Sequence, residues 1–403
     1  MTKETDFPSL LTTATVPAAA AAVIRGGRLD RYMCCGIRGT QAPIPVDENT
    51  VFEAASLSKP VFAHAVLQLV DQGHLSLDAP LGDYLPKYVP ADERVSSITP
   101  RQILSHSAGL PNWRSANFPL KTYFQPGDQF SYSGEGFLYL QKAVEAITKE
   151  KLHVLIDRLV CEPFAMTRSC FVWDQRFDDN RAYPHDVFGR PALSYKPGEA
   201  NAAWSFQTSA ADFARFLLAV LDGSGLTPES AALWIRPQVE VKHPGTQCLG
   251  PSGDALATGV SWGLGWGLEP REGTFFHWGD NGPFTAFTVG SMHDRSALVV
   301  FTNGASGLSI MPELVSHFMP GDRPSLTWLD YVRHDAPVRR LLREARQHGA
   351  EVVWREMVHA GLGPDDLRWI AQGLSVAGRE DDRLWLLHRI DERSTAGRSS
   401  QVG

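Results

Sequence analysis

TFFHWGDNGPFTAFTVGSMHDRSALVVFT, residues Thr274 to Thr302, decides the fold class. Thr274–His277, Phe284–Gly290 and Ser296–Thr302 are short runs rich in Phe, Val and Thr, with Gly, Pro, Asn and Asp between them. Such runs read as strands, and the gaps leave no room for crossover helices, so the strands pair antiparallel. Trp262–Leu268, just upstream, predicts a fourth strand.

At the other end of the chain, Ala18–Ile24 and Leu29–Ile37 flank Gly26-Gly27 and predict a hairpin. From Lys59, the run Pro60–Gly73 carries apolar residues at helical spacing, with Pro in its first turn and Gly at its end. It predicts a buried helix beginning just after Ser56. Between about residues 78 and 250 helical stretches such as Thr99–Ser105, Gly136–Thr148 and Ala210–Leu221 alternate with Pro- and Gly-rich loops. The expectation is an α+β fold: an antiparallel sheet from about 16–60 and 255–322, flanked by helices, with a mostly helical region inserted. Beyond Pro320–Pro324 the pattern changes to amphipathic helices, including Val338–Gln347, Glu351–Ala360 and Asp365–Leu374. We therefore expect a domain over 1–322 and a helical extension over 323–403, with an unstructured Ser- and Gly-rich tail from Ser394.

The 403 residues, 43% hydrophobic and 21% charged, describe an ordinary globular chain with ample core. A net charge of -7 without a block of Lys and Arg argues against nucleic acid as partner. The Ala-rich Val16–Ile24 stretch is the wrong length for a membrane span. Met1–Phe7 carries Glu4 and Asp6 beside one Lys, unlike a secretory leader, so a cytoplasmic location is expected. Cys34, Cys35, Cys161, Cys170 and Cys248 form no C-x-x-C pair and read as reduced thiols. No metal or cofactor is expected: H-E-x-x-H, P-loop and dinucleotide patterns are missing, as is the G-x-S-x-G elbow.

Three features carry chemistry. Ser56 and Lys59 stand three apart at a helix start, where they share a face. Serine needs a neighbour to take its proton, and lysine serves as that base only when burial lowers its pKa. Tyr132 lies just ahead of a predicted helix and offers a hydroxyl for proton relay. His277-Trp278-Gly279-Asp280-Asn281 ends a predicted strand, where Gly279 permits close approach and a neighbouring backbone N–H can stabilise an oxyanion.

In this order the motifs resemble the serine β-lactamase and penicillin-binding-protein superfamily, in its class C-like branch of β-lactamases, esterases and D-amino-acid peptidases. The resemblance extends through Phe52–Pro60, Gly73–Asp78, Tyr84–Pro86, Ile98–Pro111, Thr208–Asp212 and Phe301–Asn303, covering roughly residues 16 to 320. It implies a β-lactamase/transpeptidase-like fold in which Ser56 is acylated and Lys59 is its proton partner. It further implies that Tyr132 relays the proton, that the Ser56 and Asp280 N–H groups form the oxyanion hole, and that His277 replaces a lysine. Gly134 stands where the family pattern has the asparagine of Y-x-N, which weakens the case for lactams. His106 is expected to be structural.

These readings point to a serine hydrolase acting through an acyl-enzyme on a small-molecule ester or amide, an esterase foremost. An acyltransferase, a β-lactamase or a D-amino-acid amidase would use the same groups. A non-catalytic binding module, with the helical extension as partner surface, is the alternative of another class. The presence of Ser56, Lys59 and Tyr132 together favours the enzyme.

Overall fold

The computed structural model describes residues 6–85, 88, 89, 92–251 and 255–399. Most of the leader reading, Pro86 and the last four residues of the expected tail lie outside them.

Helix α1 (Phe7–Ala14) leads into β1 (Ala18–Arg25), β2 (Arg28–Gly39), β3 (Ala42–Pro45) and β4 (Phe52–Ala55). Helix α2 (Ser58–Asp71) follows, then α3 (Pro100–Leu104), α4 (Gly134–Thr148) and α5 (Leu152–Ile156). After β5 (Phe206–Thr208) come α6 (Ala210–Asp222), α7 (Pro228–Trp234) and β6 (Val239–Glu240). The chain returns to strands with β7 (Ser261–Trp262), β8 (Gly267–Glu269), β9 (Thr274–Asp280), β10 (Thr285–Ser291) and β11 (Ser296–Thr302). It ends in α8 (Met311–Phe318), α9 (Pro324–Leu329), α10 (Pro337–His348), α11 (Glu351–Glu356), α12 (Pro364–Val376) and α13 (Glu380–Ser399).

The expected α+β architecture is what the chain adopts. Nine strands form one antiparallel sheet in the order β3-β2-β1-β11-β10-β9-β8-β7-β6, so the two ends of the chain meet where β1 pairs with β11. Alternation along β1 sets the layers. Ala18, Ala20, Ala22 and Ile24 pack with α2, α6 and the inserted helical region, while Ala19, Ala21 and Val23 pack with α1, α8 and α9. Small side chains on both faces suit a central strand covered by helices on either side.

Three boundaries differ from the sequence reading. β4 leaves the main sheet and pairs with β5 in a separate two-stranded ribbon. Trp262–Leu268 is two short strands, β7 and β8, folded back at Gly263–Gly265, where Gly265 has φ +88° and its Cα faces the Ala63 side chain with no space for a Cβ. Helix α13 continues to Ser399, through most of the segment expected to be unstructured.

Within the C-terminal extension the packing changes after α9. Trp328 of α9 is buried with Phe130, Trp262, Phe276 and Trp278 in the sheet's own core. Helices α10–α13 instead bury Val338, Leu341, Leu342, Ile370 and Leu374 among themselves. Trp328 thus packs on the sheet side, while the cluster of α10–α13 also receives Val187 and Phe188 from the main region. None of the helices among the described residues is long and apolar enough to cross a membrane.

Candidate active site

Ser56 sits on the turn between β4 and α2. Ala55, just before it, has φ +49°, an uncommon conformation for a residue with a side chain. The turn is pinned by Ser58, whose Oγ donates to the Ala55 carbonyl at 2.6 Å and accepts from the Phe206 N–H at 2.9 Å. Ser58 is fully buried, leaving Ser56 as the accessible hydroxyl. Helix α2 is apolar on nearly every side, which marks a core helix and carries Lys59 into the interior.

Lys59 is 1% exposed. Its Nζ donates to the Ser56 Oγ at 3.0 Å and to the Ala203 carbonyl at 2.8 Å, and lies 4.6 Å from the Tyr132 ring centre. Burial holds its pKa well below the ordinary lysine value. Among the described residues no carboxylate forms an ion pair with it to oppose that shift.

Tyr132 is held from three sides. The Ser131 N–H donates to the His106 carbonyl at 2.8 Å and the Tyr132 N–H to the Thr246 carbonyl at 2.9 Å. The Ser133 N–H donates to His106 Nδ1 at 3.0 Å, and the His106 ring stacks on the Tyr132 ring with centroids 4.1 Å apart. Ser133 then caps α4 by accepting from the Gly136 N–H. Burial pushes the Tyr132 pKa upward, so the group remains a phenol; the nearby Ser56 hydroxyl offsets part of the rise. Among the described residues its Oη has no hydrogen-bond partner of ordinary geometry. His106, expected to be structural, thus orders the tyrosine directly. Accepting at Nδ1 requires the neutral Nε2–H tautomer, and burial lowers its pKa in agreement.

Strand β9 supplies the opposite wall, though not as its motif suggests. His277 is fully buried beneath the cleft, its Nδ1–H donating to the Trp278 carbonyl at 2.8 Å. Burial, reinforced by Lys59, lowers its pKa to about 3. The residue that faces the cleft is its neighbour Trp278. Gly279 accommodates backbone and not substrate, since a Cβ there would lie 2.4 Å from the Ala54 carbonyl oxygen of β4. This close approach brings Asp280 to the Ser56 turn. Asn281 fastens it by donating to Glu53 at 3.0 Å. The Asp280 carboxylate accepts from the Gly282 N–H at 2.9 Å and the Tyr331 hydroxyl at 3.1 Å. It is open to solvent inside the concavity, where surrounding protein still pushes its pKa up.

Together these elements enclose a cleft of about 420 Å³ containing Ser56, Lys59, Tyr132 and Asp280. Its remaining walls are Asn112, Trp113, Trp204, Thr246, Trp278, Asn281 and Tyr331; motif reasoning gave none of them a role, although Trp278 and Asn281 lie within the His277–Asn281 motif. Asn112 and Trp113 directly follow the Ile98–Pro111 match, a signal that was there to use. Tyr331 belongs to the extension, and no local pattern marks it. Gly134 is covered by Trp113, whose indole would lie 2.6 Å from a Cβ at that position.

One group of metal-type ligands occurs among the described residues, Glu313, His334 and Asp335. Arg333 forms ion pairs with both of its carboxylates, and none of the three lines the cleft.

A family model described as Beta-lactamase matches residues 6–313. Esterase EstB from Burkholderia gladioli is 31% identical over 198 residues, which are 41% of this chain and half the length of the esterase. Penicillin-binding protein 4 from Amycolatopsis lactamdurans is 28% identical over 345 residues, 76% of this chain and 86% of its own. Among solved structures, the octameric penicillin-binding protein homologue from Pyrococcus abyssi superposes with a TM-score of 0.66 at 19% identity, covering 83% of this chain and 79% of that one. D-alanine carboxypeptidase AmpC from Burkholderia cenocepacia gives 0.59 at 18% identity, covering 73% and 91%. At such identities the structures speak for the fold alone.

Proposed function

We propose, from the premise that this chain belongs to the Beta-lactamase family, that it is a serine hydrolase forming an acyl-enzyme on Ser56 and acting on small carboxylic esters. The observation that carries the reading is the 3.0 Å contact between the Ser56 hydroxyl and a buried lysine with no acidic partner among the described residues. Burial lowers the pKa of a lysine in that setting, which favours the neutral form that can accept a proton. Lys59 takes the proton from Ser56 as Oγ bonds to the ester carbonyl carbon. The Ser56 and Asp280 N–H groups stabilise the oxyanion, and the former donates to no other group among the described residues. The carbon–oxygen bond to the alcohol then breaks. Tyr132, kept as a phenol by burial, protonates the leaving oxygen and regains its proton from Lys59. Water repeats the sequence on the acyl-enzyme, releasing the acid and restoring Ser56.

Likeness to esterase EstB supports esters as the substrate class, and the Trp113 indole stands over Gly134, where the family pattern has asparagine. The test compares p-nitrophenyl acetate, D-alanine p-nitroanilide and nitrocefin, with fluorophosphonate labelling of Ser56 alongside. Ester hydrolysis should dominate. Efficient nitrocefin turnover with poor ester turnover overturns the substrate assignment, and an unlabelled Ser56 overturns the enzyme.

A further inference from the structure

Side chains alternate along β9, so Trp278 and Asp280 share the face that meets the cleft while His277 lies beneath it. Among the described residues of the lining, Lys59 is the one basic side chain and Asp280 the one acidic side chain. Burial disfavours the charge on Lys59, so the lining offers little to an anionic substrate. Asp280 carries the opposite charge, and no basic side chain among the described residues answers it. Its Oδ1 accepts from the Gly282 N–H at 2.9 Å and its Oδ2 from the Tyr331 hydroxyl at 3.1 Å. Neither bond needs a charge. Asparagine would meet both, its Oδ1 accepting from Gly282 and its Nδ2 donating to the Tyr331 oxygen. Asn112, also in the lining, has its Oδ1 engaged by the Gly134 N–H at 2.9 Å. Each Asp280 carboxylate oxygen keeps a lone pair beyond the bond it already accepts.

We infer that the Asp280 carboxylate receives a cationic nitrogen of the substrate, so that the preferred esters carry an ammonium group. This rests on the proposed acyl transfer at Ser56. In that reaction the Asp280 N–H holds the oxyanion, which puts its carboxylate within one residue of the reacting carbonyl. An ammonium a few bonds from the ester carbon is then in reach in the same bound pose. Partial burial weakens screening by water and salt, so the attraction exceeds that of a pair on an open surface. Trp278, on the same strand face, adds an aromatic ring to which a cation is also drawn. A substrate carboxylate would meet repulsion instead. The acyl and alcohol parts of an ester both start within that reach, and the assay separates them.

The test pairs each cationic ester with its neutral carbon isostere. For the acyl side these are p-nitrophenyl 4-(trimethylammonio)butanoate and p-nitrophenyl 5,5-dimethylhexanoate; for the alcohol side, acetylcholine and 3,3-dimethylbutyl acetate. Methylated nitrogens are used because a free amine would attack its own ester. Each kcat/KM is divided by that ester's uncatalysed hydrolysis rate, and the ratio of cationic to neutral ester is read in the wild type and in Asp280→Asn. A general loss caused by disturbing the oxyanion N–H cancels in this ratio. The wild type should favour the cation by about tenfold in at least one pair, which identifies the side, and Asp280→Asn should bring that ratio down to about one. Ratios near one in both pairs, or a preference that Asp280→Asn leaves unchanged, overturn the inference. Binding gives a readout independent of turnover: calorimetric titration of methyl 4-(trimethylammonio)butanoate and of acetylcholine into Ser56→Ala and Ser56→Ala/Asp280→Asn. Weaker binding in the double variant, with no turnover by the wild type, would keep the cation site and refute the hydrolase. Equal binding refutes the cation site whatever the turnover.

Discussion

Replacing Lys59 with methionine should abolish turnover and make the stability gained depend on pH. An unfolded lysine holds its proton up to about pH 10.4, whereas burial lowers the pKa of Lys59 in the fold. At any pH between those two values the unfolded chain binds one proton more than the native protein, so native stability rises with pH. The slope for one proton is about 1.4 kcal/mol per pH unit. Methionine fills similar space and does not titrate, so the advantage of Lys59→Met shrinks by that amount with each unit of increasing pH. With an unfolding entropy of about 2.1 cal/mol/K per residue over 403 residues, the gap in Tm closes by about 1.6 °C per unit. Loss of the bond to the Ala203 carbonyl costs about 1 kcal/mol at every pH and leaves the slope untouched. Other ionisable groups cancel in the difference. Thermal or urea unfolding of both proteins across a pH series below about 10.4 measures it. A gap that stays constant, or widens with pH, refutes the neutral lysine and the base role with it.

Ser56→Ala should leave the fold intact and remove fluorophosphonate labelling, whereas Ser58→Ala should keep labelling at Ser56 but lose about 1–3 kcal/mol, because the buried Phe206 N–H is left unpaired; an adduct on Ser58, seen by mass spectrometry, would reverse these roles. Gly134→Asn should disturb the cleft through collision with Trp113 and improve lactam turnover only when combined with Trp113→Ala; improvement from the single change would show that the indole moves aside freely. A chain ending at Ala336 should stay folded and labelled, while one ending at Asp322 loses the buried Trp328, a change worth about 3–5 kcal/mol, and Tyr331 with it; equal melting temperatures would contradict the shared core.

Sequence made the reactive groups legible because their chemistry dictates local spacing: Ser56 and Lys59 must share a helical face, and Tyr132 must precede a helix. The sheet was legible for a similar reason, since β9, β10 and β11 are separated by turns too short for anything but antiparallel pairing. Residues that act through tertiary contact left weaker traces. Trp278 was overlooked in favour of His277, because alternation along a strand does not say which face meets a cleft. Gly279 was assigned to substrate approach, although the constraint comes from β4, over two hundred residues earlier. The split of Trp262–Leu268 depends on a helix that its own residues do not encode. Asn112 gains meaning only from Gly134, and Tyr331 only from Asp280.

The pairing of β1 with β11 places Ala20 opposite Phe301. At roughly 5–20 residues per second of synthesis, some 15 to 60 seconds separate their emergence from the ribosome. For that interval the alanine-rich strand has no partner on one side, and Ser56 lacks the β9 wall. Chaperones that bind exposed strands have their longest opportunity there. The cleft around Ser56 is therefore complete only after the last strands of the sheet are released.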